Sequence, residues 1–402
     1  MSSITHLRLH NLLKEAFSPE APEIPLTSDL TLFSVPTVSD GAKGRDQAPS
    51  TPPEDLLRRL PPGTDLSDLF AKPDSAILEN SHFRHFVVAP QGVAKSLKAI
   101  ILLHGLNERF WDKYLPIAAR LARNTGKSVI LFPTAFHMNR SPGLWTNPKT
   151  TRAISQWRKS LYPGIEECSL SNVAISIRFQ EDPSRFFWSG LETYENILSL
   201  TRQIRDGNHP CFAQGASIDF FTYSIGCYIG EHLLIANEDG LFDDSRLALF
   251  CGGPVFEGMR AISKFIIDSE ANSSLVKLFL DDLGQYRQRD PRLDECLGST
   301  RIGQTFLSML KLELGRDFRE SRLRALSRQI KALALEKDEV IRPAEVFGTL
   351  KGKHGDIDID VSVASPDYPY RHEDPFPTLP KHEAQVDEWF RRLIDELSDF
   401  LK

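Results

Sequence analysis

The chain has 402 residues, 41% of them hydrophobic, and a formal net charge of −6, which suits one α/β domain carrying an insertion and an N-terminal extension. With no sizeable run of Lys and Arg and a mildly acidic balance, the electrostatic footprint of a nucleic-acid binder is excluded. The five cysteines, Cys168, Cys211, Cys227, Cys251 and Cys296, are scattered and never spaced C-x-x-C, so neither a disulfide framework nor a zinc ribbon is expected, and a reduced, cytoplasmic setting fits best.

The first ten residues lack the basic region and apolar core of a signal peptide, and no run reaches the length of a membrane span. Residues 1–80 read as a loop-rich extension, because Gly41, Gly44, Pro52, Pro53, Pro61 and Pro62 punctuate a stretch rich in Ser, Thr and Asp. Leu56-Leu57 and the stretch from Leu66 to Phe70 are expected to pack short helices on the main body. From residue 82 the chain becomes rhythmic. Strands are expected at 83–88, 98–103, 128–132, 247–251, 330–335 and 357–363, with helices at 111–124, 191–204 and 383–401. The run Lys98-Ala-Ile-Ile-Leu-Leu is apolar without alternation, the mark of a parallel strand covered on both faces. Strands alternating with helices over this length predict a mostly parallel sheet flanked by helices.

Two stretches break the rhythm. Residues 134–185, rich in Pro, Ser, Arg and Trp, follow a strand end, where loops line the ligand crevice of an open α/β sheet. Residues 254–326 carry apolar positions at helical spacing, with helices expected at 259–267, 275–283 and 306–314. A helical insertion there is a candidate cap, and the core is then 81–253 with 327–402.

The chemistry gathers around the stretch Ser217 to Glu231, a short apolar strand, a sharp turn through Thr222-Tyr223-Ser224-Ile225-Gly226, and a helix. That order is what a nucleophile elbow requires, with Ser224 raised above the sheet edge. The usual pattern is G-x-S-x-G; here Gly226 is present and Thr222 replaces the first glycine. The other reading of Ser224 is an ordinary capping serine. A serine nucleophile needs an imidazole base oriented by a carboxylate, each from the end of a later strand. Asp338 follows the strand at 330–335 in a short polar turn; a helix-capping aspartate is the alternative, and Glu336 the nearest substitute acid. For the base, His372 lies in the loop after the last strand, His382 opens the terminal helix, and His354 precedes the last strand, on the wrong side of the sheet. His104 reads as a structural histidine, and His82 and His85, at i and i+3 on a strand, point to opposite faces and do not share a metal. Oxyanion donors are expected from the backbone N–H groups of Ile225 and of Leu106, with Gly105 making the turn that aims the latter.

The strand ending in His104-Gly105, the S-x-G turn at Ser224, the stretch Asp338-Glu339-Val340-Ile341-Arg342-Pro343 and His372 before a terminal amphipathic helix together resemble the α/β-hydrolase superfamily over residues 82–402. The strings His104-Gly105-Leu106-Asn107-Glu108-Arg109 and Ala135-Phe136-His137-Met138-Asn139-Arg140 are similar to an uncharacterised bacterial family of α/β-hydrolase-like proteins. The resemblance implies a serine hydrolase with a catalytic triad of Ser224, Asp338 and His372 and an oxyanion hole at Leu106 and Ile225. Its partner would be a small-molecule acyl substrate carrying an ester, thioester or related bond. No metal or organic cofactor is implied. A non-catalytic scaffold of the same fold and an acyltransferase using the same residues are the competing functions.

Overall fold

A computed structural model describes residues 4–39, 51–60, 63–70 and 72–402; Gly41, Gly44, Pro61 and Pro62, which entered the loop-rich expectation, lie outside these. Among the described residues a sheet of nine strands comprises β1 (Glu23–Thr27), β2 (Leu30–Val38), β3 (His82–Pro90), β4 (Ser96–Leu103), β5 (Ser128–Phe132), β6 (Phe212–Tyr223), β7 (Leu247–Phe250), β8 (Ile330–Leu335) and β9 (Asp360–Ala364). Their order is β1-β2-β3-β5-β4-β6-β7-β8-β9. The strands β5, β4, β6, β7, β8 and β9 run parallel, and β1, β2 and β3 close one edge antiparallel. The protein therefore has a mostly parallel sheet flanked by helices, of the α/β-hydrolase type.

Both faces of the sheet are covered, and the period-2 geometry of a strand explains how the unbroken apolar runs serve them. Ile101, Leu103, Ile130, Phe132 and Phe220 pack to one side, against the helices Arg185–Arg205 and Ile225–Ala236. Ile100, Leu102, Val129, Leu131 and Phe221 pack to the other, against His6–Ala16, Tyr114–Thr125 and Glu383–Phe400.

The N-terminal region departs from the expected loops. The helix His6–Ala16 and the strands β1 and β2 join the main body, and β2 pairs with β3 along its whole length. Prolines mask this in the sequence. Pro36 sits in β2 beyond Leu30–Phe33, the part that β1 covers, so the missing N–H falls where the strand has an open edge. Residues 134–185 also hold more regular structure than their composition suggests, namely the helices Pro148–Leu161 and Val173–Glu181. The next helix starts at Arg185, six residues before the expected 191.

Between β7 and β8 come the helices Ser269–Val276, Leu283–Arg289, Pro291–Ser299, Arg301–Ser308 and Arg316–Ala325. No helix forms over 259–267. There the chain folds back through a bridge between Ile262 and Ile267, with Ser263 N–H donating to Ile267 O at 3.0 Å. The last strand begins at Asp360, three residues later than expected; Ile357 and Ile359 are buried ahead of it without joining the sheet.

Candidate active site

The pairing of Leu103 with Thr222 brings the C-terminal ends of β4 and β6 side by side, at the place where the strand order doubles back and α/β sheets hold their ligands. Ser224 is the first residue past β6 and adopts φ 56°, ψ −124°, a conformation unfavourable to any residue with a Cβ and costing about 1–3 kcal/mol. The helix Ile225–Ala236 leaves directly from it. Gly226 allows this approach, since a Cβ there would lie 2.7 Å from Leu103 O and 2.8 Å from His104 O. Thr222 fits in place of the first glycine because the space is left on the helix instead. A Cβ on Gly230 would meet Thr222 Cγ2 at 3.0 Å, and the Thr222 hydroxyl is satisfied by donating to Ala248 O at 3.1 Å.

Ser224 Oγ lies 2.7 Å from His372 Nε2, and His372 Nδ1 lies 2.7 Å from Asp338 Oδ2. All three residues are buried. The carboxylate oxygen can only accept, so Nδ1 carries the hydrogen and Nε2 is left to accept from the serine hydroxyl. Asp338 is itself held, because Oδ1 accepts from the N–H groups of Val340 and Ile341 at 2.9 and 2.8 Å. One oxygen thus holds the turn and the other the imidazole, and the aspartate does not cap the following helix, whose N-cap is Arg342. His372 is anchored from below: the Tyr223 hydroxyl donates to His372 O and the two rings stack at 5.7 Å. Lys113 Nζ sits 4.5 Å over the Tyr223 ring and donates to Glu373 O at 2.8 Å. His382 stays at the start of the terminal helix, His354 is exposed, and Glu336 accepts from the Ser365 hydroxyl, away from the imidazole.

The loop after β4 has a different hinge from the one expected. Asn107, not Gly105, takes the left-handed conformation, with φ 60°. Gly105 is needed for close approach instead, since a Cβ there would touch Ser224 Cβ at 3.4 Å. Its N–H donates to the Tyr114 hydroxyl at 3.0 Å. The Asn107 amide donates to Ser171 O and to Phe265 O at 2.9 and 2.7 Å, tying the loop to two later segments. His104 is structural in this geometry: Thr134 N–H donates to its Nε2 at 3.0 Å, so Nδ1 carries the hydrogen bonded to Gly105 O at 2.8 Å. The two sequence strings meet where Met138 N–H donates to Glu108 O at 3.1 Å. Below them Arg140, fully buried, pairs with Glu192 at 2.7 Å. His85 is buried against His209, Nε2 to Nε2 at 2.9 Å, while His82 is exposed. Among the described residues no group of three or more His, Cys, Asp or Glu is placed to hold a metal ion.

Leu106 and Ile225 line a cleft whose free space, part of it open to solvent, is about 670 Å³. As the first residue of its helix, Ile225 has an N–H with no acceptor within that helix. The walls are mostly aromatic and aliphatic: Phe186, Phe187 and Tyr194 from Arg185–Arg205, Tyr228 and Ile229 from the elbow helix, Phe306 from Arg301–Ser308. Of these, Phe186 and Phe187 lie ahead of the helix expected to start at 191. The spacing Phe187, Leu191, Tyr194, Leu198 carried the signal.

A strained serine at a strand-to-helix turn, facing a histidine and an aspartate from the ends of two later strands, on a mostly parallel sheet flanked by helices, defines an α/β-hydrolase-like protein. The chain belongs to the family described as a family of unknown function (DUF6051), which it matches over residues 59–402. No curated protein matches it by sequence. Among solved structures it is similar to carboxyl esterase 2 from the mycorrhizal fungus Tuber melanosporum, with 9% identity over 80% of this chain and 82% of that one, TM-score 0.43. A cold-adapted esterase from an Arctic intertidal metagenomic library is similar at 12% identity over 94% and 96%, TM-score 0.37. A thermostable esterase from Pseudomonas putida is similar at 12% identity over 80% of each chain, TM-score 0.38. Among the described residues no helix is long and apolar enough to cross a membrane.

Proposed function

We propose that this protein is a serine hydrolase that cleaves an ester, thioester or related acyl bond of a small molecule. The observation that carries the reading is the unbroken relay of 2.7 Å contacts from Ser224 through His372 to Asp338, hung on a backbone turn at φ 56°. In this reading His372 Nε2 takes the hydroxyl proton as Ser224 Oγ attacks the acyl carbonyl, and Asp338 stabilises the imidazolium. The N–H groups of Leu106 and Ile225 receive the oxyanion. Collapse of the tetrahedral adduct breaks the acyl bond, with the proton passing from His372 to the leaving group. Water, deprotonated by the same imidazole, then releases the acid and restores Ser224. The apolar cavity beside Ile225 suits an acyl chain. Ile302 and Phe306 in its wall support reading 254–326 as a cap over the core formed by 81–253 and 327–402. Five cysteines, none of them in a disulfide, support a cytoplasmic setting.

The test is covalent labelling by a fluorophosphonate probe together with turnover of short- and long-chain aryl esters. Ser224→Ala should abolish labelling and lower kcat/KM by roughly 10⁴-fold or more. A variant that keeps wild-type turnover, or a wild type that neither labels nor turns over any ester, sinks the reading.

A further inference from the structure

The cavity is lined chiefly by hydrocarbon, yet three of its lining residues carry a buried polar atom that meets no partner: the Tyr194 hydroxyl, His232 Nε2 and His137 Nε2. These residues are 3%, 5% and 8% exposed, so bulk water does not serve them. Other polar groups in the same wall are satisfied. Thr193 Oγ1 donates to Ser189 O at 2.8 Å, Ser189 Oγ donates to Phe186 O at 3.3 Å, and the Tyr228 hydroxyl donates to Met309 O at 3.1 Å. The orphans are therefore exceptions that ask for an explanation.

Their chemistry is defined by what holds them. His232 Nδ1 lies 2.6 Å from Tyr228 O and must carry the hydrogen, which leaves Nε2 a bare acceptor. Burial pushes this imidazole down to about 4 and raises the Tyr194 phenol, so both are neutral near pH 7. Among the described residues no Asp, Glu, Lys or Arg lines the cavity to balance a carboxylate or an ammonium group, whereas an alcohol can donate to His232 Nε2 and accept from the Tyr194 hydroxyl.

Their position is equally specific. Ile225, Ile229 and His232 stand at i, i+4 and i+7 on the elbow helix, and Phe187, Leu191 and Tyr194 repeat that spacing on Arg185–Arg205. One helix enters β6 through a short turn and the other leaves it through the elbow, so the two run alike. Tyr194 and His232 each fall in the third turn of their helix. His232 is seven residues beyond Ile225, roughly 10 Å along the axis, the reach of a medium-length acyl chain whose carbonyl sits at Ile225. His137, the third orphan, belongs to the loop after β5.

We propose that the cavity selects a medium-length acyl chain bearing a hydroxyl group toward its far end, received by His232 Nε2 and the Tyr194 hydroxyl. That the chain arrives as an ester rests on the hydrolase reading above; the preference for a hydroxyl does not. A site built to bond a hydroxyl rejects the analogue lacking it far more strongly than an apolar pocket rejects an extra group.

Two measurements separate the claims. In the first, calorimetry on the Ser224→Ala chain compares methyl octanoate with its ω-hydroxy counterpart. The hydroxylated ester should bind about tenfold tighter or better, and His232→Phe or Tyr194→Phe added to that chain should bring the ratio near one. In the second, the kcat/KM ratio of the corresponding aryl esters should favour the hydroxylated substrate in wild type and fall by a similar factor in either variant. If His232→Phe fails to fold, Tyr194→Phe, which removes a single oxygen, makes the same comparison. Equal or tighter binding of the plain ester, or a ratio that neither variant moves, means that water serves these atoms and overturns the proposal. Absence of all turnover and labelling with the binding ratio intact would sink the hydrolase reading alone.

Discussion

Gly226→Ala isolates the mechanical role of the elbow. The added Cβ would lie 2.7 Å from Leu103 O, 2.8 Å from His104 O and 2.9 Å from Leu103 C, all backbone atoms at the end of β4. None of these is a side-chain tip that can swing aside. To restore an ordinary contact of 3.4 Å the start of the helix must retreat by about 0.7 Å, and Ser224, two residues upstream, must move with it. The 2.7 Å contact with His372 then stretches out of good hydrogen-bond range. Displacements of about 1 Å in a reacting group cost on the order of 10²-fold in rate. Overpacking destabilises by about 1–3 kcal/mol, and better helix propensity returns about 1 kcal/mol. The expected outcome is a loss of roughly 10²-fold in kcat/KM on an aryl ester, with urea unfolding shifted by no more than about 2 kcal/mol. Gly230→Ala is the control. Its Cβ would meet Leu247 Cδ1 at 2.8 Å and Thr222 Cγ2 at 3.0 Å, side-chain atoms with no backbone of β4 among them, so stability should fall with a smaller change in rate. If Gly226→Ala keeps wild-type kcat/KM, the close approach does not position Ser224 and the reasoning fails.

Two further outcomes follow from the same structure. Ser224→Gly should be more stable than Ser224→Ala by about 1 kcal/mol, against the usual order, because only glycine occupies φ 56°, ψ −124° without strain; paired urea titrations giving the opposite order would show that the turn stores no strain. Stability should also decline on acidification. Burial holds His85 at about 3 and His137 and His232 at about 4, against an ordinary value of 6.5. The unfolded chain therefore binds protons below about pH 6.5 that the folded chain refuses, so the contribution is complete above that pH and is lost as pH falls toward 4. At pH 5 this amounts to about 2 kcal/mol per histidine. Unfolding measured at pH 7.5 and pH 5 should show the loss, and His232→Phe should show less of it; a flat profile, or one unchanged in the variant, contradicts the assignment.

Much of the core was legible because the relevant signals are local. The run from Ala99 to Leu103 in β4 is apolar at every position since both faces are covered there, and its two alternating sets, Ile100 with Leu102 and Ile101 with Leu103, go to opposite cores. Glu383–Phe400 declares itself by one apolar stripe, Val386, Phe390, Leu393, Ile394 and Leu397. The misses share a cause too. Strands β1 and β2 are interrupted by Pro25 and Pro36, which local rules treat as breakers and which only an open sheet edge excuses. The stretch 259–267 has helical spacing in its apolar residues but turns back on itself, because Asn107 and Ser169 bind the carbonyls of Phe265 and Lys264 from elsewhere in the chain.

For the site the division runs along the same line. By itself the sequence determined the strand, turn and helix around Ser224 and the presence of an acid and a histidine after later strands, since elbow order and chain order are local and topological properties. Tertiary structure alone decided which histidine faces the serine. His372 is brought there by the Tyr223 hydroxyl beneath its carbonyl and by Lys113 on the neighbouring Glu373, contacts between residues far apart in the chain. It also decided that Thr222 fits the elbow, because the room a glycine would have provided is supplied by Gly230 across the interface. Packing distances of this kind depend on how two elements meet, and no single stretch of sequence contains them.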